Sequence, residues 1–179
     1  FWASFLDNST FFTSGRANYI SGGTTALGSA GLTAAVTAFL KLKDSDGNPL
    51  GMMPDRLLLP PDLAVTGDEL FQSTNVNTGG SATTAKVPNK NVFAGRYRPI
   101  VSQYLSNSNY TGYSTTAFYL FGDPAGIAPM EVAFLNGVET PTVESSDADF
   151  NTLGIQMRGY FDFGVAKKDY LAGVKSAGA

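Results

Sequence analysis

LGIQMRGYFDFGV, residues 153–165, carries an apolar residue or glycine at every odd position: Leu153, Ile155, Met157, Gly159, Phe161, Phe163 and Val165. The even positions hold Gly154, Gln156, Arg158, Tyr160, Asp162 and Gly164. A period of two sustained this long predicts an extended strand with one face buried and one face wet. The run outlasts the usual strand of roughly 5–6 residues. The strand therefore either bends, with Gly159 as the natural point, or spans two layers of the protein. Polar or charged segments bound it, residues 145–151 before it and AKKDYLAGVKS, residues 166–176, after it.

Upstream, the chain mixes helical and extended patterns. Residues 1–25 are irregular, and their aromatic side chains (Phe1, Trp2, Phe5, Phe11, Phe12, Tyr19) are expected to pin the segment to the core or to a neighbouring subunit. Residues 29–43 read as a helix. Ser29 is a candidate N-cap, Leu32, Val36, Phe39 and Leu40 form one apolar stripe, and Lys41 and Lys43 sit in the last turn. DSDGN, residues 44–48, breaks that helix. Its glycine is misplaced for a calcium loop and no twelfth-position Glu follows, so it reads as a turn.

Arg56 to Leu59 reads as a short buried strand stopped by Pro60, and Pro61 then opens a helix that runs to Phe71 and is weakened by Gly67. Residues 74–91, rich in Ser, Thr, Asn and Gly, read as a mobile surface loop. Strands are expected at residues 98–105, 116–121 and 130–135. The last is followed by Asn136-Gly137, a hairpin signal, with residues 138–143 returning. The irregular order of the elements gives an α+β class. No internal repeat and no linker divides the chain.

With 179 residues, the chain fits one domain, in two lobes at most, and can bury a real core. Hydrophobic residues at 43% against charged residues at 15% exclude a disordered chain. The net charge of −3, without a basic run or stripe, argues against specific nucleic-acid recognition. There is neither Cys nor His. That removes disulfides, thiolate nucleophiles and the commonest zinc ligands, and a Ser-His-Asp triad cannot form within the chain. Carboxylate pairs, a Ser-Lys dyad and tyrosine chemistry are the routes to catalysis that remain. No apolar run reaches the roughly 20 residues that span a bilayer, and no signal peptide is evident. No membrane partner is therefore expected. A start at Phe1 rather than Met suggests a processed product or a fragment.

Individual candidates are weak. GDPAG, residues 122–126, lacks the spacing and the lysine of a phosphate loop. Asp147 and Asp149, and the adjacent Asp68 and Glu69, read as solvated carboxylates, because nothing pushes their pKa values apart. Lys167 and Lys168 read as a charged strand exit. Asn8-Ser9-Thr10 and Asn109-Tyr110-Thr111 match the glycosylation sequon without a secretion signal to support its use. The residues suggest no catalytic group, no cofactor and no metal ligand, so the chain is not expected to be an enzyme.

Six segments in order cover most of the chain: FFTSGRANYI (11–20), TTALGSAGLTAAVTAFLKLKDSDGNPL (24–50), PDRLLLPPDLAVTGDEL (54–70), FYLFGDPA (118–125), MEVAFLNGVETPTVE (130–144) and DFNTLGIQMRGYFDFGVAKKDYLAGVKS (149–176). As a set they resemble the phage Mu-like major head (capsid) protein family. That family also occurs as the C-terminal half of prohead protease–capsid fusions in prophages. The most specific elements are LLLPP-x-L and the TLGI-x-x-R-x-x-x-DFG ending. One departure is Arg16-Ala17-Asn18, where the family often reads His-Gly-Asn, so only Asn18 carries over.

The resemblance implies the tailed-phage capsid fold, with an axial and a peripheral domain. It places residues 29–43 as a spine-like helix, about 60–130 as an axial-type lobe, and residues 24–59 and 131–179 as the spine and a peripheral-type lobe. Residues 153–165 would form the peripheral strand and 74–91 a surface or axial loop. An N-terminal arm and an extended loop would precede Phe1. The implied function is a structural subunit of a phage or prophage head. It would assemble in the bacterial cytoplasm into pentamers and hexamers of a virion capsid, with portal, scaffold or decoration proteins as further partners. Two alternatives stand beside it. One is a fragment of a protease–capsid fusion whose protease lies N-terminal to this chain, and the other is a tail or decoration protein.

Overall fold

The consecutive leucines at 57–59 lie in the middle strands of a mixed five-stranded sheet. The computed structural model describes residues 1–78, 87–147 and 154–179. In chain order the helices and strands are α1 (Trp2–Leu6), β1 (Tyr19–Ile20), α2 (Ser29–Leu40), β2 (Pro54–Leu59), α3 (Ala64–Gln72), β3 (Asn75–Thr78), β4 (Val87–Lys90), β5 (Arg98–Val101), β6 (Phe118–Gly122), β7 (Met130–Phe134), β8 (Thr142–Asp147), β9 (Ile155–Tyr160), β10 (Phe163–Lys167) and β11 (Gly173–Ser176). The sheet runs β1-β11-β6-β2-β5. β1 is parallel to β11 and β5 parallel to β2, while β6 is antiparallel to both its neighbours. Helices beside a mixed sheet fit the α+β expectation.

The sheet is buried on both faces, which explains why its strands read as continuous apolar runs rather than alternating ones. Leu57, Leu59, Phe118, Leu120 and Val174 point to one side, where Leu32, Ala35 and Phe39 of α2 and Leu70 of α3 cover them. Tyr119 and the half-buried Leu58 point to the other, where the N-terminal segment packs Phe5, Leu6, Phe11 and Phe12 against them. The aromatic residues of this segment therefore anchor it to the body of its own chain. Trp2 also stacks on Tyr104 with ring centroids 5.3 Å apart.

Several local expectations are corrected. The helix at 29–43 ends at Leu40. Gly28 rather than Ser29 is its N-cap, Lys41 is its C-cap, and Lys43 pairs with Pro49 across the 44–48 turn. Gly67 is a clearance rather than a weakness, since a Cβ there would lie 2.2 Å from Leu59 Cδ1. The glycine lets α3 settle on the sheet. The expected strand at 98–105 stops at Val101 and gives way to a 3-10 turn at Gln103–Ser106. Of the expected loop at 74–91, residues 75–78 and 87–90 pair as the antiparallel ribbon β3/β4, and residues 79–86 lie outside the described residues.

The hairpin expected around Asn136-Gly137 is only half correct. Both residues take the left-handed conformation, with φ of 55° and 71°. Yet β7 pairs with β10, and the returning segment pairs further along with β9. The long strand that begins the sequence argument is likewise broken, at Phe161-Asp162 rather than at Gly159, and Leu153 lies outside the described residues. Gly159 sits inside β9 opposite Val143. The break arises because β9 and β10 pair with different strands, and the Asp162 carbonyl accepts from the Leu135 N–H at 3.2 Å between them.

Residues 130–167 thus form an arm of two successive ladders, β7/β10 near the body and β8/β9 beyond it. It leaves the sheet after β6 and returns at β11. The sheet itself draws on residues 19–20, 54–59, 98–101, 118–122 and 173–176, so both expected lobes contribute strands to it.

Candidate functional site

The arm holds nine of the eighteen large hydrophobic side chains exposed among the described residues, although it is a small part of the chain. This concentration makes it the candidate site. Antiparallel register places Val143/Gly159, Ser145/Met157 and Asp147/Ile155 on one face of the outer ladder. Val143, Ile155 and Met157 are 66%, 68% and 73% exposed there. The opposite face pairs Thr142/Tyr160, Glu144/Arg158 and Ser146/Gln156. On it the Arg158 guanidinium donates from Nε to Glu144 Oε2 at 2.6 Å, and the Tyr160 hydroxyl reaches the other carboxylate oxygen at 3.5 Å. The ladder thus has the apolar and polar faces that the alternation predicts. The apolar face, however, is not buried within this chain.

A two-stranded ribbon is marginally stable alone in water. The arm is secured at its base, where Lys167 donates to the Asp7 carbonyl, Lys168 pairs with Glu131 at 3.3 Å, and Met130 packs on the core. At the joint between the ladders, Leu135, Val138, Thr140, Tyr160, Phe161 and Asp162 line a hollow of about 100 Å³.

The other sequence candidates resolve into structure. Asp44 is a turn residue: its Oδ1 accepts from the backbone N–H of Asn48 at 2.8 Å and of Asp46 at 2.9 Å. The Asn48 N–H, first among the causes, holds its carboxyl below the usual range. Asp123 caps the 122–126 turn through the Ala125 N–H at 2.9 Å. Asp68 and Glu69 are exposed on α3, Asp147 is exposed on β8, and Asp149 lies outside the described residues. Asn8 is buried and hydrogen-bonded, so the first sequon is inaccessible. Asn109 lies on an exposed turn. Among the described residues no three His, Cys, Asp or Glu side chains converge, and no helix is long and apolar enough to cross a membrane.

Three buried asparagines carry the polar interior. Asn18 accepts from the Thr13 N–H at 2.9 Å and donates to the Phe11 and Tyr170 carbonyls, both at 3.0 Å. Arg16 lies over the Tyr170 ring, 4.4 Å from its centroid. Asn91 donates to the Leu70 and Ser73 carbonyls at 2.7 and 2.8 Å. Asn18 is carried by the resemblance and Asn8 by its sequon, whereas nothing in the sequence marks Asn91, because asparagine is common in the polar segment around it. Each satisfies backbone groups that irregular chain leaves open, and none is placed to do chemistry.

What the geometry shows here is an exposed apolar face on the outer ladder of the arm. No curated protein and no solved structure matches the chain. The phage capsid protein family matches it over residues 1–176. That match spans the sheet, the helices and the whole arm, and the chain belongs to the phage capsid protein family, whose members are structural subunits of the head shell in the virion.

Proposed function

We propose that this chain builds the head shell of a Mu-like phage or prophage by lateral association of copies into five- and six-membered capsomers. One observation carries the reading: the outer ladder of the arm presents Val143, Ile155 and Met157 to solvent on a single face. A subunit acting alone gains nothing from such a face, whereas a shell subunit buries it against its neighbours. The ordered segments quoted from residues 11–176 support the Mu-like assignment. The same resemblance supports a place as the capsid part of a prohead protease–capsid polypeptide, assembled in the bacterial cytoplasm. Portal, scaffold or decoration proteins are then its further partners. In such a polypeptide, catalysis would belong to the protease part.

In this reading the sheet with α2 and α3 is the axial-type lobe and the arm at 130–167 is the peripheral-type lobe. This redraws the boundary inferred from the resemblance. α2, with 12 residues, buries Leu32, Ala35 and Phe39 against the sheet, which suits a helix of the body better than a spine between lobes. Electron microscopy of the concentrated chain tests the assignment. Rings, tubes or shells are expected. Dispersed single subunits under all conditions of salt and concentration would overturn it.

A further inference from the structure

We infer that the arm of one copy docks along the β5 edge of a second copy, in a head-to-tail contact. This rests on the shell-subunit reading and names the surface that receives the arm. The first observation is charge. Residues 130–167 carry Glu131, Glu139, Glu144, Asp147, Asp149 and Asp162 against only Arg158 and Lys167, a net charge of 2 − 6 = −4. Residues 70–122 contain no Asp or Glu at all and carry Lys86, Lys90, Arg96 and Arg98, a net charge of +4. A chain of overall charge −3 is thus polarised into an acidic arm and a basic stretch.

The second observation is where that basic stretch lies. β5 is an edge strand of the five-stranded sheet, paired on its inner side with β2. Arg96 and Arg98 are exposed beside it. On the strand itself, Ile100 and Val101 are 36% and 45% exposed. An uncovered apolar edge strand is a template for pairing that monomeric proteins usually blunt or cover. Pro99 cannot donate to an added strand and Arg98 charges this edge, so the arm meets it through side chains and charge rather than by extending the ladder.

The two surfaces match in kind. Each is an apolar strip flanked by charge, and the signs are opposite, which sets the orientation and disfavours pairing of like with like. β8 and β9 pair only with each other and with no strand of the five-stranded sheet, and their apolar face stays exposed on this chain, so the edge assigned to it is that of another copy. Because the two patches differ, the contact is heterologous and repeats around a ring until the rotation closes.

The absence of cysteine makes the test direct. Val143→Cys, Ile155→Cys and Met157→Cys are prepared singly in the full chain, as are Ile100→Cys and Val101→Cys. Each variant is checked for an unchanged melting temperature. Arm and edge variants are then mixed under mild oxidation, beside electron microscopy of the same samples. A disulfide-linked dimer is expected from at least one arm–edge mixture and from neither partner alone. Arg96→Glu with Arg98→Glu is expected to lower its yield at least tenfold at low salt. Arm–arm or edge–edge links alone, or assemblies without any arm–edge link, overturn the docking while leaving the shell reading intact. The absence of both assemblies and links overturns the two together.

Discussion

Lys175 donates through Nζ to Asn8 Oδ1 at 2.9 Å, so the last strand of the sheet grips the N-terminal segment across 167 residues of chain. Asn8 in turn donates to the Tyr119 hydroxyl at 3.2 Å, and Tyr119 faces Lys175 across the β6/β11 pair. Tyr119 and Asn8 are buried and Lys175 is half-buried, and that burial moves both titrations. It lowers the lysine from its ordinary 10.5 and raises the tyrosine from its ordinary 10.0.

These shifts give stability opposite slopes at alkaline pH. Between the folded pKa of Lys175 and 10.5, the unfolded chain binds more protons, so this residue makes stability rise with pH. Above 10.0 the unfolded tyrosine loses its proton first, so Tyr119 makes stability fall as pH climbs through its raised folded value. Lys175→Met removes the rise and exposes the fall. Melting temperatures followed from about pH 8 to about pH 11 check this, and identical pH slopes for the two proteins would refute it.

Asn18 closes three hydrogen bonds with no access to solvent. Asn18→Ala leaves the Tyr170 carbonyl and the Thr13 N–H without their partner and the Phe11 carbonyl with only the 3.4 Å bond from Arg16, and each orphaned group costs about 1–3 kcal/mol. A loss of about 2–4 kcal/mol in urea unfolding is expected. A loss below about 0.5 kcal/mol would mean that the N-terminal segment is held by its aromatic residues alone.

Gly112 has φ of +87°, and a Cβ there would lie 2.2 Å from the Leu6 carbonyl oxygen. Gly95 has φ of +70° with no atom within 4 Å of the same position. Gly95→Ala should therefore show only the left-handed penalty of about 1–2 kcal/mol. Gly112→Ala should exceed it, because the backbone of α1 must also move. Chemical denaturation of the two variants side by side decides the order.

Leu120 is fully buried, whereas Met157 is 73% exposed. Leu120→Ala should cost about 2–5 kcal/mol of stability. Met157→Lys should leave the stability of the single subunit within about 0.5 kcal/mol and abolish association, seen by light scattering. A large stability loss from Met157→Lys would show that the arm face is buried within one chain after all.

The legible parts of this fold were those fixed by local pattern. Leu57 to Leu59 followed by Pro60-Pro61 marked β2 and its exit, and the stripe from Leu32 to Phe39 marked α2. Partners were less legible than elements. Asn136-Gly137 has the backbone of a hairpin turn, yet β7 finds β10 because strand pairing is settled by tertiary contacts and not by the turn alone. The alternation from Ile155 to Val165 marked two faces but could not say that this chain leaves one of them uncovered. No spacing rule announces Asn18 or Asn91 as buried, because what selects them is the irregular backbone around them.

β11 fills the gap between β1 and β6, and it follows every other strand of that sheet in the chain. On a growing chain the two halves of the sheet therefore stay unjoined until Val174 and Ser176 have emerged. The arm between β6 and β11 is made before the sheet it springs from is closed, and that closure waits on residues that β11 sets against its neighbours, Val174 and Ser176 among them.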